Sequence, residues 1–102
     1  MIIVIFEFEP KELAQSRYFE LAQLLLDEVK QIDGFITVER LQSVANSGRF
    51  VSISTWRDSQ AVDNWRHHLM HQTAQEEGKA SIFDDYRIRV AEVFKDYGLN
   101  DN

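Results

Sequence analysis

The stretch Ser52-Ile53-Ser54-Thr55-Trp56-Arg57-Asp58-Ser59-Gln60-Ala61-Val62-Asp63-Asn64-Trp65-Arg66-His67-His68-Leu69-Met70-His71 decides how this chain is organised. It opens as a strand, because Val51, Ile53 and Thr55 alternate with Phe50, Ser52 and Ser54 at a period of two. The strand stops at Trp56-Arg57. Asp58 is placed to cap a helix, since its carboxylate can accept the orphan N–H groups of a first helical turn. Val62, Trp65 and Leu69 then recur at i, i+3 and i+7, which gives that helix an apolar face. All three histidines of the protein, His67, His68 and His71, lie in the same segment beside Trp65.

Upstream of this stretch, Ile2 to Glu9 reads as a strand whose first half is apolar on both faces, as a central, doubly covered strand would be. Pro10 suits the first position of a helix, where its missing N–H is no loss, and the helix is expected to run to about Gln31. Ala14, Tyr18, Leu21, Leu25, Val29 and Ile32 form its apolar stripe. Asp33-Gly34 ends it, with Gly34 free to take a left-handed cap conformation. Phe35 to Ser43 is a second strand, and the turn signal Ala45-Asn46-Ser47-Gly48 joins it as a hairpin to Arg49–Trp56. Downstream, the helix from Asp58 is expected to fray or bend near His67. Gln75 to Ser81 reads as a polar loop and Ile82 to Tyr97 as a long last strand. On that strand Tyr86, Ile88 and Val90 share one face, and Arg87, Arg89 and Ala91 the other. Residues 1–98 are expected to form one domain, with 99–102 a loose tail.

The order β-α-β-β-α-β is that of a ferredoxin-like α+β fold with an antiparallel sheet. Two helices on one face leave the other face uncovered, and a second copy of the same sheet is the simplest cover, so a homodimer is expected.

Composition narrows the function. With 102 residues, 44% hydrophobic and 27% charged, the chain is long enough for one folded domain. A net charge of −6 lacks the basic surface that nucleic-acid binding requires. The absence of cysteine excludes disulfides, thiolate metal sites and a cysteine nucleophile. Met1 to Phe6 is too short for a signal peptide, and no run has the length of a membrane span, so a cytoplasmic protein without a membrane partner is expected. The four glycines are too scattered for a phosphate loop or a dinucleotide fingerprint, so no flavin or nicotinamide cofactor is implied.

The candidate chemistry gathers around Trp65. Its indole either belongs to the core or stacks on an aromatic ligand. His68 or His71 could act as a general base, because imidazole titrates near neutral pH and a phenol must lose a proton before reacting with oxygen. His67 and His71 have a chelating i, i+4 spacing but no third ligand nearby, so no metal site is expected. Glu7 shares a face with Ile3 and Ile5, either as a strand-end carboxylate reaching water or as an acid in a ligand cavity. Arg87 and Arg89 could bind an anionic substrate or pair with Glu39 across strands. Trp65 and His71 are six residues apart, about 240° around an unbroken helix. They converge on one ligand only if the helix breaks near Arg66-His67-His68.

The chain resembles the antibiotic biosynthesis monooxygenase family over nearly its whole length. The resemblance rests on Asp33-Gly34-Phe35, on Ser54-Thr55-Trp56-Arg57-Asp58 with Ala61 and Trp65, and on Phe83-Asp84-Asp85-Tyr86-Arg87-Ile88-Arg89-Val90-Ala91. It implies a dimeric α+β barrel. It also implies a cofactor-independent monooxygenase acting on a small aromatic or hydrophobic molecule. The residues' own chemistry offers Trp65, His68 and His71 as catalytic candidates for such a reaction, and Glu7, Trp65 and Arg87 as substrate-binding ones. Two other readings follow from the same resemblance: a haem-binding or haem-degrading variant, and a non-catalytic dimeric ligand-binding module. Haem-degrading members use an Asn on the first strand, a Trp on the second helix and a His ten residues later. Trp65 matches the Trp, whereas Glu7 and Gln75 stand at the other two places. In quinone-forming members a Tyr lies six residues after the Trp, where this chain has His71.

Overall fold

A computed structural model describes residues 1–75 and 82–101, with side chains for residues 1–69 and 82–101. Strand β1 (Ile2–Pro10) is followed by a 3-10 turn (Glu12–Ala14), helix α1 (Gln15–Val29), strands β2 (Phe35–Gln42) and β3 (Phe50–Trp56), helix α2 (Ser59–Gln75) and strand β4 (Phe83–Glu92). The strands form one antiparallel sheet in the order β2-β3-β1-β4. This is the α+β, ferredoxin-like arrangement expected from the element order.

The register divides the sheet into two faces, because cross-strand partners point the same way. Ile2, Val4, Phe6 and Phe8 of β1 pair with Trp56, Ser54, Ser52 and Phe50 of β3, and with Glu92, Val90, Ile88 and Tyr86 of β4. The helices cover this face, and two clusters hold them there. At one end Val29, Trp56 and Ala61 are buried, with Ile2, Val4, Leu26, Ile32, Phe35, Val62 and Trp65 packed on them. The Trp56 indole N–H donates to Ser54 Oγ at 2.9 Å, which satisfies its one polar atom. At the other end Phe8, fully buried, meets Tyr18, Phe50 and Phe83 with ring centroids 4.6 to 5.8 Å apart. Burial there pushes the Tyr18 phenol up to about 12, with Arg40 pulling weakly the other way, so this ring stays neutral. The opposite face carries Ile3, Ile5, Val51, Ile53 and Thr55, and none of the described helices covers it. Among the described residues, helices therefore cover the central strand on one side only.

Several expectations need correction. Pro10 does not begin a helix: it ends β1, opposite Phe83, where the register shifts between Glu9 and Pro10. A proline there removes no ladder hydrogen bond that the bulge would otherwise make. Helix α1 consequently starts five residues later, after the 3-10 turn. No break interrupts α2 near His67, where fraying or bending is expected from sequence: the helix continues to Gln75. Strand β4 stops at Glu92 rather than near Tyr97. Beyond it a local turn forms, in which Gly98 N–H donates to Asp101 Oδ2 and Asp101 N–H to the Gly98 carbonyl. The loop expected over Gln75–Ser81 lies outside the described residues, apart from Gln75 at the end of α2.

A joint between the two connections fixes where α2 leaves the sheet. Gly34 has φ +94°, a conformation that side chains rarely adopt. A Cβ on Gly34 would come within 2.6 Å of Ala61 Cβ and 3.4 Å of the Arg57 guanidinium. The Arg57 N–H donates to the Gly34 carbonyl at 2.7 Å. The Arg57 side chain donates to both carboxylate oxygens of Asp33, at 3.2 and 3.0 Å, and to Asp58 at 3.1 Å. Asp58 in turn caps α2 by accepting the Ala61 N–H at 2.9 Å. The Arg57 contacts hold the Asp33 carboxyl below its ordinary range, and the Ala61 N–H, followed by Arg57, does the same for Asp58. Arg57 is held protonated more firmly than usual, chiefly by Asp33.

Two outcomes follow from this joint. Gly34→Ala should destabilise the fold by roughly 2–4 kcal/mol, from left-handed strain plus the clash with Ala61, as read by chemical denaturation. A loss near zero would show that the joint tolerates a side chain. Asp33→Asn should lower Tm at neutral pH. Because the folded carboxyl titrates below its ordinary value of 3.8, its contribution is present above that value and disappears as pH falls through the lowered one. Melting curves of wild type and variant should therefore converge in acid; a gap that stays constant with pH would assign the effect to something other than this charge.

Candidate functional site

The helix-side face of the sheet is covered unevenly. Trp56 and Phe8 are nearly or fully buried on it, yet Tyr86, Ile88 and Val90 of β4, on the same face, remain 59%, 55% and 55% exposed. Three large apolar side chains in a row on the helix side are left open to solvent, and they mark a candidate cleft floor along the outer edge of the sheet. Val4 and Phe6, their cross-strand neighbours, extend that floor toward the core. The Phe6 ring packs edge-on against Phe83 and Tyr86 at 5.6 and 6.1 Å.

Helix α2 supplies the wall. Trp65 packs on the same Val29–Trp56–Ala61 cluster as Val4, whose cross-strand partner on β4 is Val90. His68, one helical turn on, lies on the same side of α2 and stacks on Trp65 with centroids 5.4 Å apart and planes 18° from parallel. Its Nε2 lies 3.4 Å from Glu28 Oε2 on α1. The indole presents a flat apolar surface, and the imidazole can accept or release a proton while the carboxylate orients it. Both roles expected of Trp65, core residue and cleft wall, are compatible with this position.

Glu7 and Arg87 do not join them. Register places both on the uncovered sheet face, opposite the helices. Glu7 accepts from Arg89 at 3.0 Å and from Arg49 at 3.4 Å, and the Arg89 hydrogen bond is the main reason its carboxyl sits below the ordinary range. Arg49 also bonds Glu9 at 3.1 Å and lies 3.6 Å from Asp85. The Glu9 contact is the main reason the Arg49 guanidinium is held protonated. Pairing of Arg87 or Arg89 with Glu39 inside one chain, as expected from sequence, is ruled out by strand order: β2 and β4 are the two outer strands. The β1 residues on the cleft side are Val4 and Phe6, and the sequence reading passed over both in favour of Glu7. The one-residue parity of the strand was the signal that could have found them.

The continuity of α2 also bears on His71. Backbone positions 65 and 71 remain about 240° apart around one helix, so the demanded convergence with Trp65 is not met. The His71 side chain itself lies outside the described residues. Of the three positions of the haem-degrading arrangement, Trp65 matches and stands on α2, Glu7 lies on the opposite face of the sheet, and the side chain of Gln75 lies outside the described residues. Among the described residues no group of three potential ligands could hold a metal ion, and no helix is long and apolar enough to cross a membrane. Two surface depressions, about 670 Å³ along α1 beside Phe19 and Leu24 and about 390 Å³ beside Glu9 and Asn46, include none of the expected site residues.

Comparison with known proteins adds three findings. The profile of the family described as antibiotic biosynthesis monooxygenase matches residues 1–77. A jasmonate monooxygenase ABM of Pyricularia oryzae is 38% identical over 93 residues, covering 91% of this chain and 43% of that protein, so the chain spans less than half the length of this relative. Among solved structures, Rv0793 from Mycobacterium tuberculosis matches with a TM-score of 0.78 at 20% identity, over 95% of this chain and 98% of that one. A variant of MhuD with two manganese protoporphyrin IX groups bound per active site matches with a TM-score of 0.75 at 16% identity, over 96% and 99%. At these identities the two structures speak to the fold alone.

The wall and the floor of the cleft should behave differently on substitution. Trp65→Ala removes a ring from the core cluster and should lose about 3–5 kcal/mol of stability. Ile88→Ser, on the open β4 face, should change stability by less than about 1 kcal/mol. Equilibrium unfolding of both variants checks this, and an Ile88→Ser loss as large as that of Trp65→Ala would mean that the β4 face is covered.

Proposed function

The chain belongs to the antibiotic biosynthesis monooxygenase family, and from that membership we propose that it is a cofactor-independent monooxygenase. It works as a cytoplasmic homodimer and oxidises a small aromatic or hydrophobic molecule in the cleft between α2 and β4. The observation that carries this reading is the exposed apolar row Tyr86, Ile88 and Val90 beside the stacked Trp65 and His68. A water-exposed apolar floor next to an aromatic wall and one titratable group suits a flat, weakly acidic ligand. The homodimer is supported by the apolar sheet face that none of the described helices covers.

In this reading Trp65 and Ile88 hold the ring of the substrate, and His68 takes the proton of its hydroxyl, with Glu28 steadying the imidazolium. The resulting phenolate is electron-rich enough to reduce dioxygen. One oxygen atom enters the ring as a quinone carbonyl; the other leaves as water with the two hydrogens lost from the ring carbon and the hydroxyl. The four electrons come from the substrate, so the balance needs no second reductant.

Oxygen uptake with a panel of phenols, quinols and jasmonate tests the reading. Wild type should consume oxygen on at least one of them and release the matching quinone or oxygenated product. His68→Ala should lower kcat about 100-fold or more with little change in KM, whereas Trp65→Phe should raise KM roughly 3- to 10-fold through weaker stacking. Haemin added to the protein should give no histidine-ligated Soret band. Ligand binding without oxygen uptake would instead establish a non-catalytic module, and wild-type turnover in His68→Ala would remove that residue from the chemistry.

A further inference from the structure

The uncovered face of the sheet carries an unbalanced pair of charges. Its ionic groups on β1 and β4, with Arg49 beside them, largely satisfy one another: Glu7 with Arg89 and Arg49, Glu9 with Arg49, and Asp85 near Arg49. Two exposed groups are left over. Glu39 faces this side from β2, opposite Ile53, and Arg87 faces it from β4, opposite Glu7. Neither has an ion-pair partner among the described residues. They cannot reach each other within a chain, because three strand spacings, about 14 Å, separate the outer strands. Between them lie Ile3, Ile5, Val51 and Ile53, an apolar strip flanked by a negative edge and a positive edge.

We propose that Glu39 of one copy pairs with Arg87 of the partner subunit, across a two-fold axis that lies between two facing sheets and runs parallel to their strands. The inference rests on the homodimer proposed above and adds its orientation. Rotation about such an axis exchanges the two edges, so β2 of each copy lies over β4 of the other and both leftover charges find an opposite one. Residue rows support the match: Glu39, Ile53, Ile5 and Arg89 form one row across the sheet, and Arg87 sits on the next row of the same face. The alternative two-fold, perpendicular to the strands, would set β4 against β4 and β2 against β2. It would keep Arg87 away from any Glu39, and an axis on either residue's row would set that residue against its own copy, a like-charge contact that is unfavourable across an interface. The apolar strip supplies the attraction, and the charge pair selects which way round the sheets meet.

Charge reversal tests this with the full chain, using sedimentation or light scattering at low ionic strength. Wild type should be dimeric at micromolar concentration. E39R and R87E should each raise the dimer dissociation constant about 10-fold or more, since each places two like-charged pairs in the interface. Mixing the two variants in equal amounts should restore dimers to wild-type strength, because in the mixed dimer both positions meet opposite charges. The double variant E39R/R87E should also dimerise as wild type does. High salt should shrink the difference between single variants and wild type. A monomeric wild type would overturn the dimer and this pair together. A dimeric wild type with both single variants unaffected, or a mixture no tighter than its components, would overturn the pair while leaving the dimer intact.

Discussion

The contact on which the arrangement depends is the fork of Arg57 on Asp33, closed by Asp58 and by the bare backbone of Gly34. Two loops that are far apart in sequence, after α1 and after β3, meet there. An exposed ion pair alone contributes little, but this one is bidentate, and it is reinforced by the Arg57 N–H bonded to the Gly34 carbonyl. With no side chain on Gly34, Ala61 can approach, so the first turn of α2 is pressed against the loop that ends α1. That approach sets the direction in which α2 departs, and hence the places of Trp65 and His68 one and two turns later.

Anchoring α2 at its start has a consequence for the other end of the sheet. The helix packs over Trp56 and the beginning of β1, where the cluster around Val29 and Ala61 forms. A separate aromatic cluster around Phe8 holds α1 at the far end. Between the clusters β3 offers only Ser52 and Ser54 toward the helices. Neither cluster extends over the middle of β4. The cleft is thus a product of how the core is divided, and its floor stays open because the two helices are held elsewhere.

Much of this was legible in the sequence. Gly34 after a helical stripe, Asp58 after a strand-ending Trp, and the alternation of Tyr86, Ile88 and Val90 with Arg87 and Arg89 each encode a local rule of backbone geometry, and each holds in the fold. What was not legible depends on relations between distant segments. Nothing local tells that Pro10 belongs to a bulge opposite Phe83 instead of a helix start. Strand order alone decides that Arg89 meets Glu7 and that Glu39 meets neither arginine of β4. The histidine-rich run near His67 lowers helix propensity only slightly, too little to break a helix that is capped at its start, so α2 runs on through position 71. The choice between Glu7 and Phe6 turned on a single residue of strand parity, which only pairing with β3 and β4 resolves.

The same parity explains why β4 must be held in register. From Asp85 on, beyond the bulge, its even-numbered residues lie on the helix side and its odd-numbered ones face the uncovered side, so a slip of one residue would exchange the two sets. Arg87 and Arg89 would then stand beside Trp65, and Ile88 would lie among the charges around Arg49. The strand is pinned against β1 at both ends: Lys11 N–H donates to the Ile82 carbonyl at 2.7 Å beyond the bulge, and Val93 N–H to the Met1 carbonyl at 2.9 Å. Between these ends each face has its own lock, the Arg89–Glu7 ion pair on one side and the packing of Phe6 on Tyr86 on the other. An outer strand with a single neighbour in its chain is otherwise the easiest one to misregister. Here the apolar contact and the ionic contact each fail if the strand moves by one residue, and because they lie on opposite faces no single shifted register can recover both.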